Sequence, residues 1–401
     1  MATVDIMRPH QATHPWITFN FDVTKLTWLD QFRLGEAYSK CQHLAGAPLK
    51  PAISSELHLV YLVKGALATT AIEGNTMTED QVRDRVEGKG SLPPSREYQG
   101  VAVDSIVEIC NEVLGQVAGG EPPTLTLELI CEFNRRVLEG QELEAGVVPG
   151  KIRTNSVGVG TYRGAPAEDC ERLMQRLVDW MNAEWAPDGA PQELCYSLQV
   201  LKAILAHLYL AWIHPFGDGN GRTARLIEYL LLLKQGVPSP ACQLLSNHYN
   251  MTRDRYYVEL QRSSARSGTD GVCGFVSYAL EGFVDGLRAQ IDQVRKQQMD
   301  VTWTNFVHEA FGDRPATDTQ RRRRELVLTM RQGETVRRRD IPDLSPSLAR
   351  AYAAKQEKTI TRDLNALLAD HLIRRVRGGY QANHLIVEAF LPVIADVPTV
   401  D

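Results

Sequence analysis

The sequence predicts an all-α protein that carries two short β-hairpins. Between Thr27 and Leu368, apolar residues in most segments recur three and four positions apart, the period of a helix with one buried face. Two stretches, 152–160 and 372–381, instead alternate and contain glycine, which is typical of hairpins. An apolar run over 198–213 is followed by a polar, glycine-rich loop and a second apolar run. This order predicts two buried helices joined by that loop.

No catalytic chemistry is evident in the N-terminal part of the chain. Residues 1–50 form an extension with a helical pattern over 27–44, and we expect it to pack on the domains that follow. The next region, 51–120, is predicted to be helical around one polar loop. Its predicted elements are a helix over 54–72, a polar stretch over 76–97 of which 88–97 (GKGSLPPSRE) is a loop, and a helix over 98–117.

The helix predicted over 54–72 ends beside a carboxylate. Ser54 or Ser55 can cap its start, and Gly74 is a natural stop because glycine adopts the left-handed conformation that ends helices. Thr69 and Glu73 are four positions apart and therefore neighbour each other on the helix surface.

A core region, 121–300, is predicted to begin in the Gly-Gly-Glu-Pro-Pro break at 119–123. The first hairpin is placed around Ile152, Val157 and Val159, where apolar residues alternate between glycines. His207, on the apolar face of the helix before the polar loop, is interpreted as a hydrogen-bonded core residue. Helices are predicted over 125–138, 167–185, 193–213, 249–260 and 272–299.

The loop over 213–225, IHPFGDGNGRTAR, combines an anion-binding backbone with cationic side chains. Backbone N–H groups around Gly219, Asn220 and Gly221 can converge on one phosphate, and the helix that begins there adds its positive dipole end. Arg222 and Arg225 are three positions apart, so both can reach over one helical face toward the same anion.

Two further side chains of this loop indicate reaction chemistry. Asp218 offers a hard oxygen ligand suited to a Mg²⁺ ion that substrate phosphates help to hold. His214 has a near-neutral intrinsic pKa and can take a proton from a hydroxyl group. The loop therefore predicts a nucleotide-phosphate site with a general base.

These residues resemble the Fic (Fido) motif, HPFx[D/E]GNGRxxR, at every specified position, with Ala224 where glycine is frequent. The resemblance covers about 54–257 and implies an all-α Fic core with a small β-hairpin flap. It also implies transfer of AMP from ATP to a Ser, Thr or Tyr hydroxyl of a target protein. His214 would be the catalytic base, with Mg²⁺ on Asp218.

The resemblance assigns roles to two stretches before the loop. Thr69, Glu73 and Gly74 resemble the Fic inhibitory motif, in which the glutamate pairs with the second motif arginine, here Arg225, and blocks the γ-phosphate. The first hairpin resembles the flap that holds a target segment by strand addition, which does not depend on side-chain identity. The flap residues assigned to target binding are Ile152, Arg153, Val157 and Val159.

After the loop, the family commonly has NRxxYY near the adenine, and here Thr252 replaces the asparagine. Tyr256 or Tyr257 can still wall the pocket, with Tyr257 assigned to nucleotide binding, although a tyrosine packing pair explains the pattern equally well. Residues 318–401 contain three helical stretches and the second hairpin, an order that resembles a winged helix-turn-helix. Arginines cluster there at 321–324, 337–339, 362 and 374–377, so DNA binding through this domain stays open alongside protein contact.

Composition bounds these interpretations. The 401 residues suffice for two or three domains, and a net charge of −5 speaks against a globally basic nucleic-acid binder. Seven cysteines without a C-x₂-C pair suggest neither a zinc site nor a disulfide framework, so we expect reduced thiols and a cytoplasmic location. The N-terminus lacks the apolar core of a signal peptide, and no membrane span is expected.

Several functional alternatives remain open from the sequence. A different nucleotide donor is compatible with the same loop, and Glu73 could position water to remove AMP from a target. A DNA-binding regulator with a nucleotide-sensing core is a further possibility. Family members often self-associate, so a homodimer is compatible with the resemblance.

Overall fold

The computed structural model describes residues 8–160, 162–265 and 269–388. These residues form two compact units, which divide after Asp292. The longest helix, which we number α12, contributes its first half to the first unit and its second half to the other. The other helices of the first unit are α1 (Pro9–Thr13), α2 (Trp28–Gly46), α3 (Pro51–Ala71), α4 (Glu79–Val86), α5 (Glu97–Ala118), α6 (Leu127–Val137), α7 (Ala167–Asn182), α8 (Gln192–Ile213), α9 (Asn220–Lys234), α10 (Leu244–Met251) and α11 (Arg253–Ala265), and α12 itself spans Thr269–Gly312.

The core of the first unit is built around α8 and α9, which pack against each other. From Val200 to Leu210 every residue of α8 is buried, because apolar residues surround the helix on all sides. Helix α8 is long and apolar enough to cross a membrane by length and composition, but 72% of its most apolar window is buried inside the fold, as in the core helix of a soluble protein. Helices α5 and α6 cover α9, while α2 and α7 cover α8.

Helix α3 starts earlier than predicted. Pro51 occupies its first turn and Lys50 is the N-cap, so the predicted caps Ser54 and Ser55 are wrong and lie inside the helix. At its other end Gly74 has φ +96°, Gly74 N–H donates to Ala71 O and Asn75 N–H donates to Thr70 O. This Schellman arrangement ends α3 as expected and makes Glu73 the residue at the turn.

Helix α4 lies in the first half of the polar stretch 76–97, where no helix was predicted, and the loop predicted over 88–97 follows it. Thr78 caps α4: its hydroxyl accepts from Gln81 N–H, while the Gln81 side chain accepts from Thr78 N–H. The spacing Thr-x-x-Gln is a capping box, a signal that the sequence offered. Glycine and proline residues between α4 and α5 do form the expected break.

The first hairpin consists of β1 (Gly158–Val159) and β2 (Tyr162–Arg163), paired antiparallel with Gly158 opposite Arg163. The N-terminal extension packs on it and on α7. His14 Nε2 lies 2.9 Å from Arg163 O, and His10 bonds to Asp169 through both its backbone N–H and its ring Nδ1. Residues 8–17 therefore form part of the wall behind the hairpin.

The second unit contains three short helices followed by a hairpin. Strands β3 (Ile373–Val376) and β4 (Gly379–Ala382) pair antiparallel, and Val336 adds an isolated bridge to Tyr380. This order agrees with the predicted elements, while the winged helix-turn-helix assignment stays a prediction. The helices are α13 (Asp318–Thr329), α14 (Pro346–Ala353) and α15 (Glu357–Ala369).

Part of the arginine cluster in this unit is structural. Arg322 and Arg323 each donate to Asp363 at 2.8 Å, and Tyr352 donates to the same carboxylate at 3.1 Å. Asp363 is 1% exposed, so these contacts neutralise a buried charge. Two of the four consecutive arginines are therefore committed to the core and are not free for a nucleic acid.

Candidate active site

The polar loop between α8 and α9 depends on two left-handed residues. His214 caps the C-terminus of α8 with φ +50°, and Gly219 precedes α9 with φ +75°. A Cβ on Gly219 would lie 3.0 Å from Asn134 Nδ2 and 3.2 Å from Leu138, so glycine is required for both conformation and space. Between these residues the chain reverses, and the first turn of α9 presents N–H groups that have no acceptor within the helix.

Asn220 holds the loop together. Its amide donates to Phe216 O and its side-chain oxygen accepts from Phe216 N–H, both at 2.9 Å. Phe216 is 1% exposed and anchors this turn in the core. The Asn220 side chain is therefore used inside the loop, and the predicted phosphate contact at this position is left to its backbone N–H.

His214 is arranged as a neutral base. Burial lowers the pKa of His214 to about 4, although the hydrogen bond that the ring donates to the Ala211 carbonyl acts to raise it. Nδ1 lies 3.3 Å from Ala211 O, so Nδ1 carries the hydrogen and Nε2 keeps its lone pair. The side chain lines the same cavity as the first turn of α9.

Arg225 and Glu73 are in direct contact. Arg225 Nη2 lies 2.6 Å from Glu73 Oε1 and 2.9 Å from Thr69 O. Thr69 is 3% exposed, and its backbone oxygen makes the contact with Arg225. Burial opposes ionisation of Glu73, but the charge and hydrogen bond of Arg225 outweigh it and lower the pKa of Glu73.

The Glu73 carboxylate occupies the place where an anion would meet the start of α9. A Cβ built on Gly221 would collide with Glu73 Oε1, so only glycine permits this approach. Arg225 is 2% exposed, and its Nε and Nη1 atoms have no partner among the described residues. Buried guanidinium donors without acceptors are costly, and a phosphate oxygen would satisfy them.

The two motif arginines do not converge as the sequence spacing suggested. Arg222 Nη1 donates to Val137 O at 2.9 Å, and Nη2 lies 3.6 Å from Asp218 Oδ1. Its guanidinium therefore braces the end of α6, whereas that of Arg225 faces Glu73. The charge of Arg222 still reaches the site, since it helps to lower the pKa of Glu73.

Asp218 is suited to a metal ion that substrate also binds. Half of its side chain is exposed, one carboxylate oxygen accepts from Gly219 N–H at 2.5 Å, and the residue lines the cavity. Across residues 8–160, 162–265 and 269–388, no group of three His, Cys, Asp or Glu side chains could hold a metal by itself. A single carboxylate fits Mg²⁺, which usually keeps waters and takes phosphate oxygens as ligands.

The hairpin is shorter than predicted and excludes two of the assigned flap residues. Ile152 forms a bridge to Phe216, and Arg153 is 7% exposed with its guanidinium against backbone carbonyls, so both contact the polar loop. Val157 accepts from Gly164 N–H next to the hairpin, and Val159 pairs with Tyr162 in it. The guanidinium donors of Arg153 are therefore committed to protein carbonyls, and the target-binding role of Ile152 and Arg153 stays a prediction.

These elements enclose a cavity of about 870 Å³, a size in the range of nucleotide and cofactor sites. Tyr256 and Tyr257 both wall it: Tyr256 is 3% exposed, and Tyr257 is 40% exposed with its hydroxyl 3.4 Å from Ile72 O. The cavity is lined by the motif loop (His214, Gly217, Asp218, Gly219, Asn220, Gly221, Arg225), by Glu73, by the hairpin (Val157, Gly158, Gly160, Tyr162), by Glu142 and Glu144, and by the two tyrosines.

Sequence reasoning missed one supporting residue, Asn134, and the partner of His207. Asn134 on α6 donates to Asp218 O at 2.9 Å and accepts from Gly150 N–H at 3.0 Å, so it joins α6 to the loop. Tyr256 OH lies 2.9 Å from His207 Nε2, which gives His207 the hydrogen bond expected of a core histidine. A polar residue inside the apolar pattern of α6 was the available signal for Asn134.

Comparison with known proteins accounts for this geometry. Residues 124–232 match the model of the Fic/DOC family. The matched segment begins just before α6 and ends within α9, so it contains the hairpin and the polar loop.

Curated relatives of this chain are named protein adenylyltransferases. The chain is 33% identical over 195 residues to protein adenylyltransferase fic-1 of Caenorhabditis elegans, which covers 48% of this chain and 34% of that protein. It is 31% identical over 233 residues to protein adenylyltransferase Fic of Nematostella vectensis. This match covers 56% of this chain and 50% of that protein. The chain therefore spans half or less of the length of these relatives.

Solved structures confirm the predicted all-α Fic fold. A Fic family protein from Desulfovibrio desulfuricans G20 superposes with a TM-score of 0.54 at 20% identity, over 89% of this chain and 97% of that chain. Fic-1 from C. elegans superposes with a TM-score of 0.51 at 23% identity, over 67% of this chain and 73% of that chain.

Proposed function

We propose that this protein transfers AMP from ATP to a hydroxyl side chain of a target protein. The observation that carries the proposal is a single cavity in which the neutral base His214 faces unpartnered donors of Arg225 and the free N–H groups of α9. A base and an anion site in one cavity suit nucleotidyl transfer. The names of the curated relatives support the same activity.

The reaction follows from the positions of these groups. His214 Nε2 takes the proton from the target hydroxyl, whose oxygen then attacks the α-phosphorus of ATP. The bond from that phosphorus to the bridging oxygen breaks, and pyrophosphate leaves. Backbone N–H groups of Asn220 and Gly221 hold phosphate oxygens, while that of Gly219 donates to Asp218. Arg225 balances the charge that develops on the leaving group.

Asp218 would hold Mg²⁺ together with phosphate oxygens, and the ion would offset negative charge on them. The protein itself supplies the other parts of the site. Tyr256 and Tyr257 wall the pocket in which the adenine ring of ATP would lie, and burial of Tyr256 limits water there. Strands β1 and β2 would offer backbone groups to a target segment, and Val157 beside β1 and Val159 within it would supply some of these groups.

Glu73 would inhibit this reaction. Its carboxylate binds Arg225 at 2.6 Å and lies against Gly221, where the terminal phosphates would otherwise be held. Bound ATP must then place its γ-phosphate elsewhere, which misaligns the α-phosphorus for attack. The geometry also supports a second candidate, removal of AMP from a target by a water molecule that Glu73 positions, because the carboxylate faces the same cavity as His214.

The decisive experiment uses ATP labelled at the α- or the γ-phosphate in a Glu73→Gly background. The α-label should stay on protein and the γ-label should not, which separates AMP transfer from phosphate transfer. His214→Ala should reduce labelling by at least about 100-fold, the usual contribution of a general base. His43→Ala, at an exposed histidine on α2, is the matched control. Labelling of His214→Ala at the parent rate would refute the proposal.

The same preparation addresses the alternatives. A panel of nucleoside triphosphates shows whether another donor is preferred over ATP. Incubation of an AMP-modified target with native protein and with Glu73→Gly tests the reverse reaction. If the native protein releases AMP and Glu73→Gly does not, removal of AMP replaces transfer as the assigned activity.

A further inference from the structure

We propose that Arg153 positions His214 for proton transfer and couples it to the hairpin. The inference rests on the proposed function, since it concerns the base of that reaction. Arg153 belongs to the segment that leads into β1. Its side chain joins this segment to the C-terminus of α8, which it meets only in the folded chain. It does not touch the reacting atoms and therefore acts as a positioning residue.

The guanidinium of Arg153 bonds to four backbone carbonyls. Nε donates to His214 O at 2.7 Å and Nη1 donates to Asn155 O at 2.6 Å. Nη2 donates to Ala165 O at 2.5 Å and approaches Ile213 O at 3.4 Å. Asn155 and Ala165 flank the hairpin on either side, so one side chain ties both flanks to the end of α8. Lysine could not replace this contact, because a single ammonium lacks the planar fork of donors.

The backbone of His214 needs such support. Its φ of +50° is a left-handed conformation, which is unfavourable for a residue with a Cβ. The last carbonyls of a helix have no partner within the helix, and Arg153 satisfies those of Ile213 and His214. Arg153 N–H also donates to Pro215 O at 2.9 Å, so backbone and side chain together fix the residues on both sides of the imidazole.

Gly164 shows how closely the hairpin approaches the base. A Cβ at this position would lie 2.8 Å from His214 Cβ and 3.0 Å from Arg153 Nη2. The end of the hairpin therefore packs directly on the histidine, and any movement of the flank would reach the imidazole. In this way the hairpin would hold a target strand in register with His214, the catalytic base.

Arg153 also acts on the protonation of His214. Burial is the main cause that lowers the pKa of His214, and the charge of Arg153 adds to it. Glu73 and Asp218 are the charged groups that raise it. The positive charge at Arg153 therefore helps to keep the imidazole neutral, so charge and hydrogen bonding make separable contributions.

Two substitutions separate these contributions in the full chain with Glu73→Gly. Arg153→Lys keeps the charge and loses the fork, so kcat should fall by about 10- to 100-fold, while the acid limb of the pH profile stays in place. Arg153→Gln should lower kcat similarly and also move that limb to higher pH. The KM for ATP should be unchanged in both, and Arg172→Gln, at an exposed arginine on α7, controls for net charge.

Gly164→Ala provides a variant that keeps Arg153. It should lower kcat without a change in ATP affinity, because the added methyl group displaces the hairpin from His214. A parent-like kcat for Arg153→Lys and Gly164→Ala, or an equal loss of kcat and ATP binding, would overturn the inference. His214→Ala measured in parallel keeps the two proposals apart: if it retains activity, the proposed function fails irrespective of Arg153.

Discussion

The two ends of the cavity are stabilised in different ways. At the end formed by the polar loop, the Asn220 side chain and the Arg153 guanidinium are bonded to backbone groups of the same loop or its neighbours. At the other end, Arg225 bonds to Thr69 O and to the Glu73 carboxylate just after α3, and a third of the Glu73 side chain is exposed. The first end is fixed by the fold, whereas the second can be exchanged for a ligand.

This difference assigns distinct roles to residues that a sequence motif presents together. Asn220 spends its side-chain amide on Phe216. Arg222 donates to Val137 O through Nη1 but keeps its buried Nε without a partner in the described part of the chain. Arg225 retains two such donors, Nε and Nη1, and this residue lines the cavity. A group that already has a protein partner shapes the site, and a buried group that lacks one is ready for a ligand. The predictions below test this division.

The largest expected effect is that of Asn220→Ala. The substitution leaves the buried N–H and carbonyl of Phe216 without partners, at about 1–3 kcal/mol each. We expect the free energy of unfolding to fall by about 2–4 kcal/mol and labelling to fall by about 100-fold as the loop loses its shape. Urea unfolding measures the first effect and α-labelled ATP the second. Asn247→Ala, at a less buried asparagine on α10, should change neither; a stable Asn220→Ala with reduced ATP binding would instead indicate a direct phosphate contact.

Glu73→Gly should produce the next largest effect, in the opposite direction. A charge-assisted hydrogen bond contributes about 1.5–3 kcal/mol, so removal of the carboxylate should raise labelling by about 10- to 100-fold. The free energy of unfolding should fall by a comparable amount in the absence of ATP, because the buried Arg225 loses its partner, while Gly74 and Asn75 retain the hydrogen bonds that end α3. Glu73→Gln, which keeps the shape and removes the charge, should give an intermediate gain. Equal activity of all three proteins would contradict the proposed inhibition.

A smaller effect distinguishes the two motif arginines in the Glu73→Gly background. Arg225→Gln should weaken ATP binding by about tenfold, the loss of one charge-assisted contact. Arg222→Gln should weaken it less and should instead lower the free energy of unfolding by about 1–3 kcal/mol, because Val137 O loses its donor. Calorimetric titration with ATP and urea unfolding provide the two measurements. The reverse ranking would show that Arg222 turns toward the nucleotide.

The sequence was most informative where function depends on local geometry. Gly219 needs a positive φ, Gly74 ends α3, and His214 lies between two apolar helices, so these positions can be read from spacing alone. Helix α4 was missed although Thr78 and Gln81 form a capping box, because a short polar helix has little apolar periodicity.

Contacts between distant parts of the chain could not be predicted in this way. Arg153 reaches His214, 61 residues away, and Asn134 reaches Asp218, 84 residues away. Both partners are backbone carbonyls, which leave no mark on the sequence of the partner residue. Separation along the chain also explains why Arg322 seemed available to a ligand, since its partner, the Asp363 carboxylate, lies 41 residues further on. Side-chain roles that depend on tertiary contacts therefore required the structure.

The smallest expected effect is an almost flat pH dependence of labelling between pH 5 and 8 in Glu73→Gly. Burial lowers the pKa of His214 from 6.5 to about 4, so the imidazole stays neutral, and able to accept a proton, until the pH falls toward 4. Glu73 raises the pKa of His214, and its removal therefore extends the flat range. An accessible imidazole would instead lose half its activity near its ordinary pKa of about 6.5.

In the native protein the inhibition should persist through the same range. The pKa of Glu73 is lowered from its ordinary value of 4.5, so its contact with Arg225 is complete above that value and is lost only as the pH falls through the lower value in the folded protein. The ratio of labelling between Glu73→Gly and native protein should therefore be constant from pH 8 to pH 5. A ratio that fell toward one near pH 6.5 would mean that a histidine, and not the Glu73 carboxylate, controls the exchangeable end of the cavity.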